Sequence, residues 1–172
     1  FPETIPDFTT IWKIRDRLKE SGVDKQIWDE LQRQLNIKWY RVKKGVIQDA
    51  SFIEADPGKK RVQQEKRARR KGEQVEYTEK QLQHIDKDSS YSVKHGQIHY
   101  GYKSHIKLDV DHHLIRDLDV TAANLHDGDV DLVEEGDQAA YRDKGYFGKK
   151  LEAANVVDKT MKRGVRGRKL NG

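Results

Sequence analysis

The sequence predicts an α/β fold in which a mixed sheet is flanked by helices. Apolar residues recur at helical spacing near the start of the chain and alternate with polar residues between Tyr100 and Val110. Short apolar runs separated by turn residues then follow to the end. We therefore expect a leading strand, an antiparallel hairpin and later strands that alternate with helices, all contributing to one sheet.

Length and composition limit the class of protein. The 172 residues suit one core domain, and 37% of them are charged although the apolar residues are clustered. No apolar stretch is long enough to cross a bilayer, and the absence of cysteine excludes disulfides and thiolate zinc sites. We predict an N-terminal helical segment at residues 1–44, a core at residues 45–172 and a basic, charged insertion within that core at residues 57–95.

Two helices are expected in the N-terminal segment. The first follows a possible N-cap at Asp7 and ends at Ser21-Gly22. The second has Asp24 as its possible N-cap and carries an apolar stripe from Ile27 to Leu35. Because the tryptophans lie on the same stripes as aliphatic residues, we interpret them as core packing.

The core begins with strands. The apolar run from Val46 to Ile53 predicts the leading strand, and the charged insertion after it should open with a basic helix, a disordered loop being the alternative. The alternating stretch from Tyr100 to Val110 predicts a strand, which a turn at residues 111–113 should connect to a second, antiparallel strand.

Four further elements are expected in the last part of the chain. These are a short helix from Asp127 to Val133, a strand that ends at Asp143, a helix at residues 151–154 and a last strand at residues 156–161.

The positive charge is concentrated in two runs. The net charge is +5, but Lys59 to Lys71 contains eight basic residues and one acid, and Lys159 to Lys169 contains six basic residues and no acid. The remainder of the chain is therefore acidic. This distribution favours a surface that binds a polyanion, although each run taken separately is equally typical of a solvated helix face or tail.

Two aspartates interrupt predicted strands. Asp49 lies within the first apolar run, and Asp143 ends a later one. A carboxylate in a buried strand is unfavourable unless it is paired or bound to a metal. If the two strands are neighbours, the pair of carboxylates indicates a divalent-cation site of the kind used for phosphodiester chemistry.

Five strings of residues carry a resemblance to a known family. In that family's order they are PDFTTIWKIRDRL at 6–18, GVIQDASFIEA at 45–55, YGYKSHIKLDVD at 100–111, TAANLHD at 121–127 and YRDKGYFG at 141–148. With them the chain resembles the insertion-sequence DDE transposases of bacteria and archaea, whose catalytic domain has a ribonuclease-H-like fold. The matching strings are spread over residues 6–148, which is most of the chain.

The resemblance implies a catalytic site. Asp49 and Asp143 stand at the family's first and second catalytic acids, and both would be ligands of Mg²⁺ or Mn²⁺. The third acid in the family is a glutamate on a helix beyond the last core strand, so we expect it beyond residue 172 and the chain to be truncated before it. Glu152 is not expected to replace it, because its helix should lead away from the sheet.

The resemblance also implies a function and partners. The function would be metal-dependent DNA strand cleavage and strand transfer at the ends of an insertion sequence, impaired by the truncation. The partners would be double-stranded DNA, at the element ends and the target, and further copies of the chain in a synaptic complex. The protein would be located in the cytoplasm of a prokaryote, at the nucleoid. The residues expected to hold DNA are Lys59, Lys60, Arg61, Lys66, Arg67, Arg69, Arg70, Lys71, Lys103, Lys162, Arg163, Arg166, Arg168 and Lys169.

Two other interpretations stay open. The chain could be a non-catalytic remnant that binds DNA, or a metallohydrolase that uses histidine and aspartate, although no HExxH pattern occurs. Lys103 and His105 could equally be ordinary residues on the polar face of a half-exposed strand. The histidine-rich alternative would draw on His95, His99, His105, His112 and His113 with Asp109 and Asp111.

Overall fold

The computed structural model describes residues 6–162 and Gly164, so Arg163, Arg166, Arg168 and Lys169 lie outside the described residues. The chain divides into two compact units, residues 1–41 and residues 42–172. No helix within the described ranges is long and apolar enough to span a membrane.

The first unit is a pair of helices, α1 (Phe8–Glu20) and α2 (Val23–Ile37). The predicted N-cap of α1 is confirmed, because the Asp7 side chain accepts a hydrogen bond from the Thr10 N–H at 2.7 Å. The predicted cap of α2 is wrong. Gly22, with a positive φ of 68°, precedes that helix, and Asp24 lies in its first turn.

The apolar stripes of these helices are not buried, contrary to the interpretation as core. Neither helix contains a buried residue, and Ile11 and Trp12 are 55% and 48% exposed. Two amphipathic helices can cover only part of each other's apolar faces, so the stripes remain half exposed within this unit.

The second unit is built on one six-stranded sheet with a short and a longer helix in its insertion. The predicted mixed α/β architecture is confirmed, and the curled sheet is compatible with a ribonuclease-H-like fold. The elements are β1 (Val46–Glu54), α3 (Lys59–Lys71), α4 (Glu79–Leu82), β2 (Ser90–Lys94), β3 (Gln97–Asp109), β4 (Ile115–Ala122), β5 (Ala139–Arg142) and β6 (Val157–Asp158).

Strand order places β1 in the middle of the sheet. The order is β2-β3-β1-β5-β6, with β4 paired to β3. β1 is antiparallel to β3 and parallel to β5, and β6 is parallel to β5. The predicted hairpin is confirmed as β3 and β4. β1 pairs with β3 along its whole length and with β5 at Val46 to Gln48, so the backbone leading to Asp49 is held from both sides.

Four elements differ between the prediction and the structure. The insertion contains strand β2, which was not expected from the sequence, in addition to the expected basic helix. Only a single 3₁₀ turn, Asp127–Asp129, forms where a helix to Val133 was expected. No helix forms at residues 151–154, which are turns and irregular chain, and the last strand is limited to Val157–Asp158.

The polar side of β3 is the buried side, which reverses the prediction of a half-exposed polar face. Lys103, His105, Lys107 and Asp109 are between 0% and 8% exposed. Residues 123–138, which we call the covering segment, include Ala123, Val130, Leu132 and Val133 among the buried apolar residues. The alternation was correctly recognised, but a period of two does not tell which face a later segment will cover.

Hydrogen bonds from the covering segment satisfy three of the buried polar side chains, Gln48, Lys103 and Lys107. The Gln48 amide donates to the Val130 carbonyl at 2.7 Å and accepts from the Leu132 N–H at 3.2 Å. Lys107 Nζ lies 2.7 Å from a Glu134 oxygen. The core is therefore held by pairing as well as by apolar packing, as buried polar groups require.

Gly45 allows β1 to approach β5 closely. Its φ is +121°, and a Cβ there would lie 2.3 Å from the Ala139 carbonyl oxygen. Any other residue would push the strand that carries Asp49 away from β5.

Candidate active site

The parallel pairing of β1 and β5 brings the two predicted acids to neighbouring positions. Gln48 is paired with Arg142, so Asp49 and Asp143 follow at the next step on adjacent strands. Both line one cleft of about 410 Å³. Side chains at equivalent positions of neighbouring parallel strands project to the same face, so the two carboxylates share a side of the sheet.

Neither carboxylate is buried, contrary to the prediction of two acids sequestered in the sheet. Both aspartates are exposed. Asp49 accepts a hydrogen bond from the Ala50 N–H at 2.8 Å, and Asp143 accepts one from the Gly145 N–H at 2.6 Å. Each bond uses Oδ1, so the orientation of the carboxylate is restrained while Oδ2 is left for other partners.

The cleft combines apolar walls with two basic residues. Its other lining residues are Ile47, Gln48, Val110, Tyr141, Arg142, Lys159 and Met161. Arg142 is buried and paired with Asp158, whereas Lys159 is exposed and can meet an anion next to the carboxylates. In the sequence, Lys159 had no individual role beyond starting the second basic run.

The site suits a hard cation that keeps most of its own water. Within the described residues, neither Asp49 nor Asp143 forms an ion pair with a lysine or arginine, and no three side chains of histidine, aspartate or glutamate converge on a metal position. Mg²⁺ binds through one or two protein carboxylates and retains several waters. Two adjacent, unneutralised carboxylates therefore fit such an ion.

A third aspartate lies beside the pair but is already neutralised. Asp127 Oδ1 lies 2.7 Å from Lys103 Nζ, which also donates to the Leu125 carbonyl at 2.6 Å. Lys103 is 8% exposed. The ammonium group is thus committed within the protein, and a phosphate contact by Lys103 stays a prediction that requires this pair to open.

Gly145 lies next to the carboxylates of both Asp127 and Asp143. A Cβ at Gly145 would lie 2.8 Å from Asp143 Oδ1 and 3.7 Å from Asp127 Oδ2. A larger side chain would displace one carboxylate, so glycine keeps the acidic face open. The next residue, Tyr146, is fully buried.

Histidines do not assemble a separate metal centre in residues 6–162. His105 Nε2 is bonded to Thr121 Oγ1 at 2.8 Å, and His99 Nδ1 to Glu54 at 2.6 Å. His112 Nδ1 lies 3.2 Å from Asp109 Oδ1. Each therefore serves a different local contact, which gives the metallohydrolase interpretation no support.

Glu152 is not placed as the missing acid. It lies in an irregular turn and not on the helix expected there, and its N–H donates to Asp131 Oδ2 at 2.9 Å. The third acid stays a prediction.

Comparison with known families decides the assignment. The model of the transposase DDE domain matches residues 40–156, about two thirds of the 172 residues. The chain belongs to the transposase DDE domain family. No solved structure matches it. Transposase DDE domains as a class bind DNA, use divalent metal ions and catalyse nuclease and transesterification chemistry. The matched region includes both cleft aspartates and the basic helix α3.

Most of the basic residues of α3 are available to a partner. Lys59, Lys60, Lys66, Arg67, Arg69, Arg70 and Lys71 are exposed, whereas Arg61 is partly buried. Arg61 Nη1 donates to the Tyr100 hydroxyl at 3.2 Å, and its guanidinium bonds Glu65 at 2.9 Å. Arg61 therefore anchors the helix to β3. In the described tail, Lys162 is exposed.

Two neighbours of the site, Asp127 and Tyr146, were missed from the sequence. Asp127 was expected at the start of a short helix and Tyr146 had no role, although they lie within the strings TAANLHD and YRDKGYFG. The string YRDKGYFG was the available signal for Tyr146. It encodes the 3₁₀ turn Lys144–Tyr146, of which Asp143 is the N-cap.

Proposed function

We propose that this chain carries the metal-binding core of a DNA transposase, in which Asp49 and Asp143 hold Mg²⁺ or Mn²⁺ for DNA strand cleavage and strand transfer at the ends of an insertion sequence. The observation that carries the proposal is the parallel register of β1 and β5, which sets both carboxylates in one cleft. Two adjacent carboxylates repel each other, and a divalent cation between them removes that repulsion.

The residues around the cation would act as a rigid holder. Backbone N–H groups of Ala50 and Gly145 fix one oxygen of each carboxylate at 2.8 and 2.6 Å. When bound, the cation supplies Lewis-acid polarisation of the phosphoryl group. Lys159 lines the same cleft and would neutralise part of the phosphate charge there.

DNA would be held outside the cleft by the basic helix α3. Its seven exposed cations face solvent, and the chain outside the two basic runs has a net negative charge. Lysine and arginine on one helix bind phosphates without reading sequence, which suits a holding surface. Lys162 and the four basic residues after it stay predicted contacts, as do self-association in a synaptic complex and action at the nucleoid.

Cation binding tests the site directly. We expect Mn²⁺ to bind the unmodified chain in isothermal titration calorimetry, and Asp49→Asn and Asp143→Asn each to weaken binding by at least tenfold. Asp119→Asn is the matched control, because Asp119 is an exposed strand aspartate whose carboxylate accepts from the next N–H at 2.8 Å, as Asp49 does. Equal affinity in Asp49→Asn and the control would refute the proposed site.

A cleavage assay separates an enzyme from a DNA-binding protein without activity. Mn²⁺-dependent nicking of DNA that disappears in Asp49→Asn, while DNA affinity stays unchanged, would support the enzyme. DNA binding without nicking by the unmodified chain would favour the non-catalytic alternative, which the exposed basic helix also fits.

A further inference from the structure

Tyr146 has a buried hydroxyl that forms no hydrogen bond with any described residue. The whole residue is 0% exposed, and its Oη is buried without a partner in the part of the chain that the structure describes. Buried tyrosine hydroxyls normally find a hydrogen-bond partner, because an unsatisfied polar group is unfavourable in the interior. A phenylalanine would fill the same space without this penalty, so the hydroxyl calls for an explanation.

The surroundings of this hydroxyl are acidic. Burial raises the pKa of Tyr146, and the negative charges of Asp127, Asp49 and Asp143 raise it further. The nearby Gln48 side chain lowers the pKa, although its amide makes no hydrogen bond to the hydroxyl that meets the usual distance and angle limits. The phenol therefore stays protonated beside the carboxylates. Its hydroxyl can donate a hydrogen bond but does not ionise.

The position of Tyr146 is tied to that of Asp143 by a single turn of chain. The Tyr146 N–H donates to the Asp143 carbonyl at 3.3 Å, and the Gly145 N–H between them donates to the Asp143 carboxylate at 2.6 Å. The Arg142 guanidinium lies 5.5 Å from the centre of the tyrosine ring. The backbone of Tyr146 is therefore hydrogen-bonded into the same loop that carries the Asp143 carboxylate.

We propose that Tyr146 is a positioning residue of the Asp49–Asp143 site, whose hydroxyl donates a hydrogen bond to a water that bridges it to the two carboxylates. The inference rests on the proposed cation site. A bridging water supplies the acceptor that the protein lacks, and a polar, acidic surrounding is where a buried water is stable. Such outer hydrogen bonds orient the ligands of a metal and raise its affinity.

The test compares Tyr146→Phe with the unmodified chain in two measurements. We expect the Mn²⁺ dissociation constant to rise about tenfold in Tyr146→Phe, the lower end of the range for such outer partners. The melting temperature of the metal-free protein should stay the same or rise, because a hydroxyl without a protein partner is removed. Tyr91→Phe serves as the control, since Tyr91 is an exposed residue of β2 that should alter neither quantity.

Each other outcome overturns the inference. Unchanged Mn²⁺ affinity in Tyr146→Phe would show that the hydroxyl does not serve the site. A metal-free protein that melts several degrees lower, or fails to fold, would show that the hydroxyl is part of the fold. If the unmodified chain binds Mn²⁺ and Asp49→Asn loses it while Tyr146→Phe does not, the proposed function stands and only this inference fails. If the unmodified chain binds no Mn²⁺, both fall.

Discussion

Asp109 illustrates how single residues hold the polar core together. It is 0% exposed, and its carboxylate accepts from the His112 N–H at 2.5 Å and lies 3.0 Å from an Arg116 nitrogen. Burial tends to raise the pKa of Asp109, but the hydrogen bond from His112 and the charge of Arg116 outweigh it and lower that pKa below its usual value. The turn between β3 and β4 is therefore closed around one charged side chain.

We expect Asp109→Asn to lower the free energy of unfolding at pH 7 by about 3 kcal/mol, the magnitude typical of breaking a buried, bonded charge pair. Because the folded pKa of Asp109 is lowered, its stabilising contribution is fully present above the unfolded value near 3.8 and is lost as the pH falls through the folded value. The difference between the two proteins should thus shrink below pH 4. Urea unfolding monitored at pH 7 and pH 3 measures it.

Asp117→Asn is the matched control for this experiment, since Asp117 is a neighbouring aspartate of β4 that bonds the Leu118 N–H at 2.9 Å. It should change stability little at either pH. A difference for Asp109→Asn that persists undiminished at pH 3 would mean that packing, not charge, explains the loss.

Residue identity at the site was predictable from the sequence, but the environment of each residue was not. The strings around Asp49 and Asp143 identify the two acids, and the apolar runs before them suggested burial. The structure instead leaves both exposed, because no described segment of the second unit covers the face of the sheet that they occupy. Conversely, Lys103 and His105 resemble a solvated strand face in sequence and are buried. Burial depends on which segment packs over a face, and local periodicity does not contain that information.

At the scale of elements, the covering segment depends on contacts that are distant in sequence. Its Val130, Leu132 and Val133 suggested a helical stripe, yet Gln48 on β1 bonds the backbone at both Val130 and Leu132. Those two backbone groups bond a side chain in place of helical partners. Local propensity would predict a helix here. In so short a segment, however, the tertiary hydrogen bonds outweigh helix propensity.

We expect Gln48→Met to lower the free energy of unfolding by about 2 to 4 kcal/mol, because a buried carbonyl and a buried N–H each lose their partner while side-chain volume is kept. Hydrogen exchange should accelerate in the covering segment more than in β3. Thermal and denaturant unfolding combined with exchange mass spectrometry measure both effects.

The control is Gln97→Met, at an exposed position of β3, which should leave stability within about 0.5 kcal/mol. If the two variants behave alike, then the covering segment is held by its apolar side chains and not by the Gln48 amide.

At the scale of the whole molecule, the sequence predicted the class of fold and the positions of most strands. The leading strand, the hairpin and the strand before Asp143 all occur where the apolar runs predicted them. Strand β2 was missed because it lies in a highly charged stretch and pairs with the first residues of β3, far from any apolar run. The insertion is thus joined to the sheet by pairing as well as by the contacts of Arg61.

Charge distribution gives the last prediction, on DNA affinity. Substituting Lys66, Arg69 and Arg70 of α3 by glutamine removes three exposed cations that make no contact in the core. If each meets one phosphate, the slope of log affinity against log salt should decrease in magnitude by about 2 to 3, because each phosphate that is no longer neutralised removes about 0.9 from it. Fluorescence anisotropy with duplex DNA at several salt concentrations measures this slope.

Substituting Lys13, Lys19 and Lys25 of the first unit by glutamine changes the net charge equally and should leave the slope nearly unchanged. An equal decrease in both variants would mean that net charge, rather than the basic helix, governs binding.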